Sequence, residues 1–225
     1  MKERLERLAR AALELVYPTR AVCAGCGSQA GFPREWLCEE CREQLAKRWV
    51  GAFPPPGGFD GAASAFLYAG PAGGMARTLK FQGARRLADR MGESMADALA
   101  RIQPTGAEWI VPVPMHPKRL RQRGFNHAAL LSERVGARCG LPVRETLARV
   151  RDTVQQARLP DELRLKNMDG AFALAEPVAG RRVLLVDDVC TTGATASECA
   201  RVLREGGAEA VYLLCFAVAQ VGSRE

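Results

Sequence analysis

One run of fourteen residues restricts the possible folds more than anything else in the chain: Arg182-Val183-Leu184-Leu185-Val186-Asp187-Asp188-Val189-Cys190-Thr191-Thr192-Gly193-Ala194-Thr195. A short apolar stretch reads as a buried strand that runs out at Val186 into two adjacent carboxylates. A loop rich in threonine and holding one glycine then opens a helix over Ala194 to Glu205, ended by Gly206-Gly207. Strand, polar loop and helix in that order belong to an open α/β sheet, whose ligands bind beyond the carboxyl ends of the strands.

The residue types say what such a loop could hold. Gly193 lets the backbone approach a ligand closely, and the N–H groups of a helix N-terminus point at an anion. The hydroxyls of Thr191, Thr192 and Thr195 add donors for phosphate oxygens, and Gly193 and Ala194 complete the cradle. Ionised Asp187 and Asp188 only accept hydrogen bonds, which suits sugar hydroxyls or a hydrated magnesium ion. A Walker A loop is excluded, because no lysine follows the glycine.

Around this run the pattern alternates. Strands are expected at Ala62 to Tyr68, Trp109 to Val113, Val143 to Val150 and Ala210 to Ala217. Helices are expected from Met75 to Ile102, with a break near Gln82-Gly83, and from Asn126 to Cys139, stopped by Gly140; Gly70 to Gly74 and the basic stretch after Pro114 read as loops. The fold class is therefore α/β, a parallel sheet with helices on both faces.

Ahead of the sheet lies a different kind of sequence. Leu5, Leu8, Ala12 and Leu15 recur at helical spacing, and Cys23-x2-Cys26 and Cys38-x2-Cys41 follow, eleven residues apart. Two such knuckles supply the four soft ligands of a tetrahedral zinc ion, and four protein ligands close the site to substrate, so the zinc is structural. Leu37 to Trp49 continues as a short helix, and the run Phe53 to Gly58, with three prolines and two glycines, reads as a linker. The expected division is residues 1–52, an N-terminal helix and four-cysteine zinc module, and residues 60–225, the α/β domain.

Net charge is +7 and the sequence pI about 9.2, which favours polyanionic partners. The apolar stretches are too short for a bilayer span and the first residues lack a signal-peptide core, so membrane insertion is not expected and a cytoplasmic location is. Lys118, Arg119, Arg121 and Arg123 sit within six residues, and Arg151, Arg158, Arg164 and Lys166 populate a long polar segment. His116 and His127 flank the basic segment and read equally as phosphate donors or as surface or cap residues, and Lys80 reads either as a residue at the rim of the site or as a helix-end lysine favoured by the dipole.

The Arg182–Thr195 run resembles the phosphoribosyl pyrophosphate signature of type I phosphoribosyltransferases. Pro112-Val113-Pro114, Arg119-Leu120 and Arg123-Gly124-Phe125-Asn126, with Tyr68 through Lys80, Gly83, Arg151-Asp152-Thr153, Gly170-Ala171-Phe172 and the four cysteines, resemble the ComF family over nearly the whole chain from Cys23 to Val218. Two positions depart from that pattern: His127 stands where an amide is expected, and Cys190 where an aromatic is.

The resemblance implies a type I phosphoribosyltransferase-like sheet behind a zinc module, and a part in DNA uptake during natural transformation. Phosphoribosyl pyrophosphate would bind with magnesium: Asp187 and Asp188 on the ribose, as the catalytic candidates of a glycosyl transfer; Thr191 to Thr195 on the 5-phosphate; Lys118, Arg119 and Arg123 on the pyrophosphate. Arg151, Arg158, Arg164 and Lys166 would belong to a flexible loop closing over the leaving group. The alternatives are a non-catalytic sensor of the same ligand and a single-stranded DNA-binding module, whose partner would be DNA or the DNA-uptake machinery. The basic segments lack the interleaved aromatics of a base-stacking platform.

Overall fold

The computed structural model describes residues 22–29, 36–82, 85–101, 106–152 and 168–219. The helix expected over 3–16 and the loop cations Arg158, Arg164 and Lys166 lie outside them.

The described elements run α1 (Glu39–Ala46), β1 (Trp49–Phe53), β2 (Gly61–Leu67), α2 (Pro71–Gln82), α3 (Arg85–Leu99), β3 (Trp109–Pro112), α4 (Pro117–Arg123), α5 (His127–Cys139), β4 (Leu147–Arg149), β5 (Phe172–Leu174), β6 (Arg182–Cys190), α6 (Ala194–Glu205) and β7 (Ala210–Val218). Five strands form one sheet in the order β1-β2-β7-β6-β3, and β4 pairs with β5 in a separate two-stranded sheet. The β2–β7, β7–β6 and β6–β3 pairs are parallel, and β1 is antiparallel to β2 at the edge. The expected α/β sheet flanked by helices is present.

The central strands β6 and β7 are apolar on both sides because both faces are covered. Leu184 and Val186 face a cluster with Met75 and Leu79 of α2, Leu87 and Met91 of α3 and Leu131 and Val135 of α5. Val183 and Leu185 face a second cluster with Cys199, Val202 and Leu203 of α6 and Phe172 of β5. The cysteine segment shares the first cluster through Cys23, Leu37, Cys41 and Leu45. β1, which follows it, extends the same sheet. The proline-rich run therefore connects two adjacent strands, and Pro56 packs against Gly193.

Four local expectations are corrected. β6 does not stop at Val186 but continues through both aspartates to Cys190, because β7 supplies ladder partners as far as Val218. The stretch from Pro71 to Gly74 is helical rather than loop, with Pro71 at the start of α2 where a missing N–H costs nothing. The basic loop contains a seven-residue helix, α4, whose N-cap His116 accepts the Lys118 N–H through Nδ1 at 3.3 Å. Of the strand expected over Val143 to Val150, only a bridge at Val143 and β4 form.

Candidate functional site

Strand alternation decides where the two carboxylates go. Asp188 has the parity of Leu184 and Val186 and enters the face covered by α2 and α5, while Asp187 has the parity of Val183 and Leu185. Asp188 is 2% exposed and meets Lys80 and His127 there. Lys80 Nζ from α2 lies 2.6 Å from its Oδ2, and His127 Nε2 from the first residue of α5 lies 3.2 Å from its Oδ1. Asp187 Oδ1 accepts the Asp188 N–H at 2.8 Å.

His127 is held in place by its neighbour. Asn126 caps α5 by accepting the Ala128 N–H, and its amide donates to the Val113 carbonyl at 3.0 Å, tying the helix start to the end of β3. Val113 in turn donates its N–H to Val186 of β6.

The electrostatics separate the two acids. Burial pushes Asp187 up to about 7, helped by the charge of Asp188 beside it. Burial would push Asp188 up as well, but His127 and then Lys80 outweigh it and hold its carboxyl well below the usual range. Desolvation works against the Lys80 ammonium, and Asp188 more than restores it. The surroundings thus favour the ionised form of Asp188, held at both oxygens, and the neutral form of Asp187.

Beyond β6 the chain passes through exposed Thr191 and Thr192 to Gly193, the α6 N-cap, at φ 76°. Only glycine fits, for the conformation and because a Cβ would lie 2.8 Å from Pro56. Thr192 Oγ1 accepts the Ala194 N–H at 3.4 Å, which leaves its O–H as a donor. Thr195 lies half-buried in the first turn of α6.

The cations of α4 stand at the neighbouring strand end. Lys118 and Arg119 face Asp152 at 3.7 and 3.6 Å. Arg149 of β4 sits close enough to feel Arg119, Asp152 and Asp187. Arg123 closes α4, and Arg151 donates to the Asp169 carbonyl. A cavity of about 340 Å³ opens beside this region, lined by Pro114, Leu120, Phe125, Leu130, Glu133 and Glu145 among others, but neither aspartate nor the threonine loop lines it.

The cysteines form a second centre. The Sγ atoms of Cys23, Cys26, Cys38 and Cys41 lie within 4.8 Å of one another, none is in a disulfide, and Cys26 and Cys38 are 3.8 Å apart. A tetrahedron with zinc–sulfur bonds of about 2.3 Å has edges of about 3.8 Å, so the set fits the ion. Hydrogen bonds from Ser28 lower the Cys26 thiol to about 6, toward the thiolate a metal needs. The Cys38 N–H donates to Cys23 Sγ, a further contact that favours a thiolate.

Lys80 and His127 are the residues that sequence reasoning underrated. The signal for His127 was its departure from an amide, and the signal for Lys80 was its place in the family-like run from Tyr68.

The fold is that of a phosphoribosyltransferase-type α/β protein carrying a four-cysteine cluster. The family model described as "Phosphoribosyl transferase domain" matches residues 84–224. The DNA utilization protein YhgH of Salmonella typhi is 32% identical over 200 residues, 87% of this chain and 83% of that one. Competence protein F of Haemophilus influenzae is 32% identical over 204 residues, 85% and 88% of the two chains. Competence protein ComFC of Bacillus subtilis is 30% identical over 130 residues, 57% and 51%. The chain therefore belongs to the phosphoribosyl transferase domain family, in its ComF branch.

Proposed function

We propose that the protein binds phosphoribosyl pyrophosphate with magnesium and serves DNA uptake in the cytoplasm. The observation that carries the reading is the Asp187–Asp188 pair at the end of β6, immediately before a threonine loop that caps a helix N-terminus. Ionised Asp188, aimed by Lys80 and His127, accepts a ribose hydroxyl, and Asp187 accepts the other. The N–H groups and hydroxyls of Thr191 to Thr195 take the 5-phosphate. Lys118, Arg119 and Arg123 take the diphosphate, for which Asp152 must yield.

The oxygens of Asp187 and Asp188 suit magnesium, and Asp187 is the member not engaged by Lys80, so it is the group that would face an ion arriving with the ligand. Bound magnesium would offset diphosphate charge. Zinc is assigned to the four cysteines as a structural ion. Transfer to an acceptor would make Asp187 and Asp188 catalytic; a sensor would use the same contacts without turnover. DNA uptake enters through the names of the relatives, DNA utilization and competence proteins. A basic chain of net charge +7 also suits single-stranded DNA, through contacts that would weaken steeply with salt.

The test is calorimetric titration of the zinc-loaded protein with phosphoribosyl pyrophosphate and magnesium, beside an Asp187→Asn/Asp188→Asn variant. Saturable binding by the natural protein that the variant loses is the expected result. A folded protein that takes up no ligand would overturn the reading.

A further inference from the structure

Helix α2 separates the two centres and touches both. At about 100° per residue, Gly74 and Thr78 share one face, Met75 and Leu79 the next, and Lys80 stands about 200° round from Thr78. The first face carries the cysteine knuckle. A Cβ on Gly74 would lie 1.8 Å from the Gly25 carbonyl oxygen and 2.9 Å from the Gly25 Cα, so the two backbones are in direct contact. Thr78 Oγ1 donates to the Ala24 carbonyl at 3.2 Å. Ala24 and Gly25 lie between the ligands Cys23 and Cys26, which makes this contact part of the turn that would close round the metal. Gly25 is also hemmed by Cys41 Sγ and by Pro71 at the start of α2, which a Cβ would meet at 2.9 and 3.0 Å.

The second face holds Met75 and Leu79, 1% and 0% exposed, in the core cluster that also contains Cys23, Cys41 and Leu45. The third delivers Lys80 to Asp188. A small module with few apolar residues depends on its metal for folding energy, so the ion stiffens the surface on which α2 rests.

We infer that Lys80 is the positioning residue of the carboxylate pair, and that the metal-loaded cysteine module delivers it. The knuckle sets where α2 lies through Ala24 and Gly25, and the position of α2 sets whether Lys80 reaches Asp188. Metal binding at the cysteines and ligand binding at the aspartates are then coupled, in both directions and by the same factor. The second half of this statement rests on the phosphoribosyl reading; the first does not.

Two measurements on the full chain test it. The first needs no sugar ligand: the rate at which zinc passes to a chelator. Lys80→Met and Asp188→Asn are expected to lose zinc about ten-fold faster than the natural protein. Thr78→Val, which keeps every ligand and both charges, falls between, and Lys80→Arg stays near the natural rate. Val202→Ala weakens the opposite core cluster without touching α2 and leaves the rate unchanged. Unaltered release in Lys80→Met and Asp188→Asn, or equal acceleration by Val202→Ala, would overturn the inference.

The second is calorimetry with magnesium and phosphoribosyl pyrophosphate before and after zinc removal from folded protein. Stripping is expected to weaken binding about ten-fold in the natural protein and to change nothing in Lys80→Met. Equal affinity before and after stripping of the natural protein sinks the coupling and leaves the ligand reading standing. Binding by neither form sinks the ligand reading, and zinc release alone then decides the role of Lys80.

Discussion

The two ends of the candidate site are built on opposite physical terms. At the aspartate end the pair lies inside the protein, with the Asp188 side chain 3% exposed and Lys80 half-buried. At the basic end the cations stand on α4, a helix with no buried residue, and face Asp152 from 3.6 to 3.7 Å with Lys118 63% exposed. A buried pair cannot lose one partner without stranding the other, whereas an exposed pair exchanges one partner for another, or for water, at little cost. One end is therefore set before any ligand arrives, and the other is held loosely enough to let an anion displace a carboxylate.

That contrast can be broken by substitution, and the largest effect belongs to the support behind the buried end. Removing zinc with a chelator is expected to lower the thermal midpoint by about 10 °C, because the module and the helix it abuts lose their staple. A calorimetric scan with and without chelator reads this directly; an unchanged midpoint would mean that a metal at the cysteines contributes nothing to the fold. Next comes Asp188→Asn, which leaves Lys80 without its counter-ion. Denaturant unfolding should show a loss on the order of 2–3 kcal/mol.

Asp187 sharpens the comparison through pH. Its carboxyl is raised in the fold from the ordinary 3.8 to about 7, so folding favours the neutral form. The stability this gives is complete below the ordinary value and is lost as pH rises through about 7. Asp187→Asn, neutral at every pH, should match the natural protein near pH 4 and exceed it at pH 8 by on the order of 2 kcal/mol. Unfolding curves at the two pH values check the crossing, and a difference independent of pH would show that Asp187 is ionised throughout. The smallest change belongs to the exposed end. Asp152→Asn should alter stability by less than about 0.5 kcal/mol while tightening the capture of inorganic pyrophosphate, read by titration at low salt.

Much of the molecule was legible because its signals are local. The apolar run at Val183 to Val186, the cap at Asn126 and the stop at Gly140 mark elements through neighbours only a few residues away. The spacing of the four cysteines anticipated that their thiols meet, and the fourteen residues ending at Thr195 anticipated a strand, loop and helix in that order. What escaped was contact between distant segments. Lys80 is 108 positions from Asp188, so the sequence offered it only as a rim residue or a helix-end lysine and did not pair it with the carboxylate. α4 was hidden because its residues bury nothing and leave no periodic pattern. β6 was read four residues short because a strand that ends in charges looks finished until β7 is seen beside it.

The sequence by itself determined which chemistry is present: two acids in tandem, a threonine loop with its glycine, a basic cluster and four thiols. These follow from residue type and spacing along one stretch of chain. Only the tertiary structure decided what each group meets. It gave Asp188 the partners Lys80 and His127 and left Asp187 to burial, placed the cysteine knuckle against the helix that carries Lys80, and brought β1 into the sheet as its antiparallel edge. The reason is that burial and pairing are properties of packed neighbours, and packing joins residues far apart in the chain.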